Sequence, residues 1–147
     1  MSRLATRSVQ DVSVVEDLPA VPFPLTVYRL VMEAGANRDF NSIHHNSEYA
    51  RATGAPDMYA NTLFLMGMWE RCVRDWAGPG ATILSLKGFR MGRFNLVGTT
   101  TTVTGSVTAV DVDSGDVTLR MACQDGDGVT VGPGEMVVRL PQRPEEA

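Results

Sequence analysis

Residues 58–77 contain no proline, have Gly67 as their only internal breaker, and stop at Gly78-Pro79-Gly80. That combination predicts one long helix with a sharp end. Its first half is apolar nearly all round (Leu63, Phe64, Leu65, Met66, Met68, Trp69). Cys72, Val73 and Trp76 continue a stripe, and Glu70, Arg71, Arg74 and Asp75 take the other side. A helix this apolar has to be enclosed rather than laid on a surface. Whatever the rest of the chain forms must wrap around it.

After Gly80 the hydrophobic period becomes two. Val103, Gly105, Val107 and Ala109 share one strand face, and Val117, Leu119, Met121 and Cys123 share another. The clusters Asp113-Ser114-Gly115-Asp116 and Asp125-Gly126-Asp127-Gly128 carry hairpin turn chemistry. We therefore expect four strands joined by hairpins in a mostly antiparallel sheet, with a bulge or break at Gly132-Pro133-Gly134. A curved antiparallel sheet around one long central helix is an α+β arrangement; a helix lying across an open sheet would satisfy the same pattern.

Ahead of the helix the reading is less regular. Leu25–Met32 has the Thr, Val and Tyr content of a strand, with a short helix through Glu33 as the alternative. Ser47–Thr53 holds helix formers and stops at Gly54. Residues 1–24 mix Ser, Asp, Glu and three prolines without period and read as a flexible segment, as do the polar residues 141–147; residues 25–140 form a single domain. With 147 residues, the chain is long enough to bury roughly 68–70% of its unfolded surface without a metal or disulfide.

A net charge of −4 and the lack of a dense basic stripe argue against a nucleic-acid partner. Cys72 and Cys123 are isolated, which suits a reducing cytoplasm. No run reaches the ~20 apolar residues of a bilayer span, and no basic-then-apolar signal segment opens the chain. The expectation is a cytoplasmic protein with no membrane contact.

The chemistry-bearing segment reads Arg38-Asp39-Phe40-Asn41-Ser42-Ile43-His44-His45-Asn46. An Asp and a His at this spacing on a turn can converge on one water molecule, the carboxylate taking its proton while the imidazole serves the other reactant. Spacing alone leaves the bland alternatives open, because Asp and Asn are common in loops and caps and paired histidines are common on surfaces.

The whole string resembles the motif of the MaoC-like, or R-specific enoyl-CoA hydratase, family: Gly-Asp-x-Asn-Pro-x-His, then a short helix with an aromatic-Ala pair. Asp39, Asn41, Ile43, His44, Tyr49 and Ala50 match in position. Within the family, Arg38-Asp39-Phe40, His44-His45, Asn61 and Asp75-Trp76-Ala77-Gly78-Pro79 are similar to the small catalytic subunits of actinobacterial heteromeric hydratases of steroid side-chain CoA thioesters. The resemblance implies a hot-dog fold, which the element order fits. It also implies reversible hydration of a trans-2-enoyl-CoA thioester to the (R)-3-hydroxyacyl product, without metal or cofactor. Asp39 and His44 would then be the catalytic pair, with Asn41 holding them in register. Asp39 is the expected base and His44 the group that positions water and protonates Cα; the reverse assignment stays open. A second hot-dog chain, identical or an inactive homologue, would complete the site. The alternatives are a noncatalytic hot-dog subunit and a (3R)-hydroxyacyl carrier-protein dehydratase. A hot-dog thioesterase would need an acid on the helix, where only Glu70 and Asp75 stand.

Arg38 replaces the motif's glycine and Ser42 its proline, removing two backbone constraints. Asn61-Thr62 stands where many members carry His-Gly, so the amide of Thr62 is the expected oxyanion donor. Lys87, Arg90 and Arg93 are candidates for the CoA phosphates, with a solvated sheet edge as the bland alternative. His45 is expected at the surface. Met58, Met66, Met68, Trp69 and Trp76 are expected in the core, with an adaptable acyl slot as the alternative.

Overall fold

The structure is a computed structural model that describes residues 5–144. Five strands, β1 (Asp17–Pro24), β2 (Thr82–Lys87), β3 (Thr100–Asp111), β4 (Asp116–Asp125) and β5 (Gly128–Arg139), form one sheet in the order β1-β3-β4-β5-β2, with every neighbouring pair antiparallel. Three helices, α1 (Val27–Ala36), α2 (Ser47–Ala52) and α3 (Thr62–Ala77), lie between β1 and β2 in the chain. The sheet curls around α3, the enclosed helix of an α+β hot-dog fold.

The core forms where the helix stripe meets the strand faces. Leu65, Met68, Trp69, Cys72 and Val73 pack against Val103, Val107, Val117, Leu119, Met121 and Cys123, all at most 1% exposed. The Trp69 indole N–H donates to Cys123 Sγ at 3.2 Å, and its ring meets Phe89 edge-on at 4.8 Å. Met58, Met68, Trp69 and Trp76 are buried core residues and Met66 is half-buried, so packing accounts for the methionine and tryptophan set. The polar side of α3 carries the ion pairs Arg74–Glu70 and Arg71–Asp75. At Gly78 (φ +88) a Cβ would lie 2.6 Å from the backbone of Ala5 and Thr6, so only glycine lets the N-terminal segment cross there.

Several expectations need correction. Residues 1–24 are not a flexible segment where described: β1 is an edge strand of the sheet, and Val9 is fully buried. The prolines at 19, 22 and 24 hid this, yet an edge strand needs donors on one side only, and the register break between Leu18 and Val21 absorbs the first of them. Residues 141–144 pack onto the same N-terminal turn, with Pro141 O accepting from Val9 N–H at 3.0 Å; residues 1–4 and 145–147 lie outside the described residues.

Leu25–Met32 is not a strand. Thr26 caps a helix by accepting from Arg29 N–H at 3.2 Å, and Leu30 and Ala34, one turn apart, bury its inner face. The long helix begins at Thr62 rather than Met58, because Met58–Ala60 runs extended against residues 95–97. The hairpin expectation holds for β3–β4–β5 but not for β2, which crosses to the far side of β5. Ala109 leaves the buried face because a register shift separates it from Val107. At Gly132-Pro133-Gly134 strand β5 continues, and its pairing with β4 slips between Met121 and Gln124, which is the expected bulge.

Candidate active site

The site begins where α1 ends. Asp39 N–H donates to Ala34 O at 2.9 Å and Arg38 N–H to Gly35 O at 3.1 Å, the paired bonds of a Schellman helix end. Arg38 occupies the left-handed position of that motif with φ 55, where glycine is usual. The backbone thus keeps the glycine conformation although the side chain has changed, and Asp39 leaves the helix in a fixed direction.

Asn41 holds the next turn. Its Oδ1 accepts from Ile43 N–H at 3.2 Å, capping the short 3-10 turn Ser42–His44, while its own N–H reaches Asp39 Oδ1 at 3.4 Å. His44 is carried inward, its side chain 8% exposed against 36% for Asp39. His44 Nε2 lies 3.1 Å from Asp39 Oδ2, and His44 Nδ1 lies 2.7 Å from Tyr59 O. A carbonyl oxygen only accepts, so Nδ1 carries a hydrogen and Nε2 is the working nitrogen. At this distance the two atoms share one proton directly, and a water can approach only beside the pair. Tyr59 also meets the His44 ring edge-on at 5.3 Å and leans on Phe94 at 4.7 Å, walling the imidazole on that side.

The other sequence candidates fall in different places. Thr62 is exposed at the first position of α3, where the helix leaves its leading amides without intrahelical partners; its hydroxyl faces Met91 Sδ at 3.4 Å. His45 lies at the surface with Nε2 3.4 Å from Phe40 O. Lys87, Arg90 and Arg93 do not gather at one point. Lys87 pairs in register with Glu135, Arg90 O accepts from Gly132 N–H, and Arg93 reaches Asp125 and Asp127, so the three are strung along β5. Glu70 and Asp75 are engaged with arginines on the outer side of α3, apart from the pair.

One open cleft shares Phe94 with the His44–Tyr59 wall and another lies against α1; Asp39, His44 and Tyr59 line neither. The first, of about 410 Å³, is lined by Pro56, Met91, Gly92, Arg93, Phe94 and Leu96. The other, of about 280 Å³, lies between α1 and α3 against Phe23, Tyr28, Met32, Glu33 and Phe64. Tyr28, Val31 and Met32 on α1, Phe40 and Leu63 are large apolar side chains left exposed. Among the described residues no group of three or more His, Cys, Asp or Glu side chains could hold a metal ion, and no helix is long and apolar enough to cross a membrane.

Sequence reasoning gave no role to three groups around the pair, although it singled out Asn61 by resemblance. Tyr59 contributes a backbone carbonyl, which no side-chain pattern discloses. Asn37 and the side chain of Asn61 join through a contact between α1 and α3, although an Asn directly before an apolar helix is a legible capping signal.

This fold and this acid–imidazole turn define a class, and the chain belongs to the MaoC-like, R-specific hydratase family of hot-dog proteins. It is 40% identical over 103 residues, 69% of this chain and 78% of the relative, to the 3-oxo-4,17-pregnadiene-20-carboxyl-CoA hydratase beta subunit of Mycobacterium tuberculosis. A chain in the crystal structure of the ChsH1-ChsH2 complex from the same organism superposes with a TM-score of 0.81 at 33% identity, covering 87% of this chain and 98% of that one. The (R)-hydratase from A. caviae involved in PHA biosynthesis shares the fold, with a TM-score of 0.82 at 22% identity over 90% of this chain and 99% of that one. No family model matches the sequence.

Proposed function

We propose that this chain adds water to a trans-2-enoyl-CoA thioester to give the (R)-3-hydroxyacyl-CoA, and runs the reverse dehydration. The contact between His44 Nε2 and Asp39 Oδ2, with the opposite ring nitrogen tied to Tyr59 O, carries this reading. A noncatalytic subunit has no need to bury an imidazole against a carboxylate in this orientation.

The chemistry closes on itself. Asp39 takes a proton from water as the water oxygen bonds to Cβ, and protonated Nε2 of His44 gives its proton to Cα. The alkene gains H and OH, and the dyad is left as a carboxylic acid beside a neutral imidazole. The 3.1 Å contact then lets the proton pass from Oδ2 to Nε2, which restores the starting state. Charge that builds on the thioester oxygen is met at the start of α3, where the Thr62 amide is the proposed donor. Arg90 and Lys87, exposed along the sheet edge, are the proposed contacts for CoA phosphates; Arg93 is engaged by Asp125 and Asp127.

The acyl group we assign is a bulky steroid side chain, as in the name of the mycobacterial relative. The partner is a second hot-dog chain that covers the exposed apolar side chains of α1 and completes the clefts, as the ChsH1-ChsH2 assembly suggests. Chiral analysis of the product from a steroid side-chain 2-enoyl-CoA tests the proposal. The (R)-3-hydroxyacyl-CoA is the expected product; an (S) product, or the free acid with released CoA, would overturn it.

A further inference from the structure

Asn61 is 5% exposed, yet its Nδ2 has no hydrogen-bond partner among the described residues. Buried donors are nearly always matched, so an unmatched one next to a reacting pair calls for an acceptor from elsewhere. Which atom is unmatched is not ambiguous. Oδ1 accepts from Phe64 N–H at 2.8 Å and from Asn37 Nδ2 at 3.4 Å, and a flipped carboxamide would set donors against donors. Asn95, the other buried residue with an unmatched Nδ2, differs in role: its Oδ1 is bound by the Thr101 and Thr130 hydroxyls between the strands and caps no helix.

The position of Asn61 follows from a closed circuit of contacts. Asp39 touches His44, His44 touches the carbonyl of Tyr59, and Tyr59 is two residues from Asn61. Asn61 in turn touches Asn37, which is two residues from Asp39. The unmatched N–H group therefore belongs to the segment whose Tyr59 carbonyl holds His44, at the same helix start as the unpaired leading amides of α3. A second chain of bonds sharpens it. Asn37 Nδ2 also donates to Glu33 Oε1 at 2.7 Å, and hydrogen bonds into Oδ1 of Asn61 make its Nδ2 a stronger donor.

We infer that Asn61 is a catalytic residue whose Nδ2 donates to the thioester carbonyl oxygen beside the Thr62 amide; this rests on the hydratase reading above. As water adds at Cβ, electron density moves onto that oxygen, and Nδ2 holds it until Cα takes its proton. Glu33 and Asn37 are positioning residues that act through Asn61.

The test uses the full-length chain with any second polypeptide that co-purifies. Asn61→Ser and Asn61→Asp both keep an oxygen to cap Phe64 and remove the N–H donor. Each should lower kcat by about 10²–10³-fold, the scale of losing one oxyanion donor, with KM moved less than about threefold. In an Asp39→Asn background, binding of 2,4-hexadienoyl-CoA should red-shift its absorption, because donors on the carbonyl polarise the conjugated system, and adding Asn61→Ser should abolish much of that shift. Rates within about threefold of the parent with the red shift intact would reduce Asn61 to a helix cap and refute the inference. Should the variants not fold, the wild-type carboxamide still reports. Its ¹⁵N–¹H signals should move with the dienoyl thioester and not with a thioether analogue that lacks the carbonyl, and equal responses refute the inference. A wild-type chain that hydrates no enoyl-CoA sinks the hydratase reading and this inference together, whereas a hydrating enzyme indifferent to Asn61 sinks this one alone.

Discussion

Arg38 stands at the left-handed position of the turn that delivers Asp39, with φ 55. An L-residue with a Cβ loses about 1–2 kcal/mol there relative to glycine. Replacing it by glycine removes that strain but gives the unfolded chain more freedom, which takes back about 0.5–1 kcal/mol. The side chain is exposed, so little packing is lost. Arg38→Gly should therefore stabilise the protein by about 0.5–1 kcal/mol, and at this chain length the melting midpoint should rise by about 1–4 °C. Arg38→Val brings a β-branched side chain into the same backbone and should lower stability by about 1 kcal/mol or more. Urea unfolding with a shared m-value measures both, and kcat/KM on an enoyl-CoA should stay within about twofold for Arg38→Gly, because the bonds to Ala34 and Gly35 still aim Asp39. An Arg38→Gly protein less stable than its parent, or one matched by Arg38→Val, would refute the claim that backbone strain is stored here.

Other outcomes follow from the rest of the structure. Burial pushes the thiols of Cys72 and Cys123 up to about 11 and about 12, so the folded protein should resist a neutral thiol reagent at pH 8 and react only on unfolding; prompt labelling of either would contradict the buried placement. Burial alone would raise the Glu16 carboxyl. Hydrogen bonds from Arg7, Trp76 and Ser13 outweigh it and hold the group below its ordinary 4.5. Because the folded value is the lower one, the clamp on Trp76 contributes fully above the unfolded value and fades as pH falls through the folded one. Melting curves from pH 6 to pH 3 should thus flatten in Glu16→Gln, and parallel curves would show that the clamp does not matter. Val31→Lys and Leu63→Glu, at exposed positions, should leave the melting midpoint of the isolated chain unchanged and abolish association with a second hot-dog chain by light scattering; unimpaired assembly would place the interface elsewhere.

What was legible in the sequence was what has a period or a stop signal. The apolar surround of α3, the Gly78-Pro79-Gly80 terminator and the alternation in β3 and β4 each reflect burial of one face, and burial is written residue by residue. Strand β1 was hidden because its prolines look like disorder until an edge position is known. Helix α1 stood only as the alternative to a strand because Val27, Tyr28 and Val31 carry strand propensity, while the Thr26 cap and the buried pair Leu30 and Ala34 decide the conformation. At the site, the spacing of Asp39 and His44 was readable because a single turn brings them together. The Tyr59 carbonyl and the link from Asn37 to Asn61 were not, since both depend on α1, α3 and an extended segment meeting in space.

The most direct measurement follows the loss of enoyl thioester absorbance and the release of free thiol together, for the wild-type chain, Asp39→Asn and His44→Ala, alongside their melting curves. The structure predicts alkene loss with no thiol release in the wild type, and a fall of about 10²–10⁴-fold in each variant at an unchanged melting midpoint. Variants within about tenfold of wild type, or thiol appearing in step with alkene loss, would contradict the assignment of Asp39 and His44 as the groups that add water.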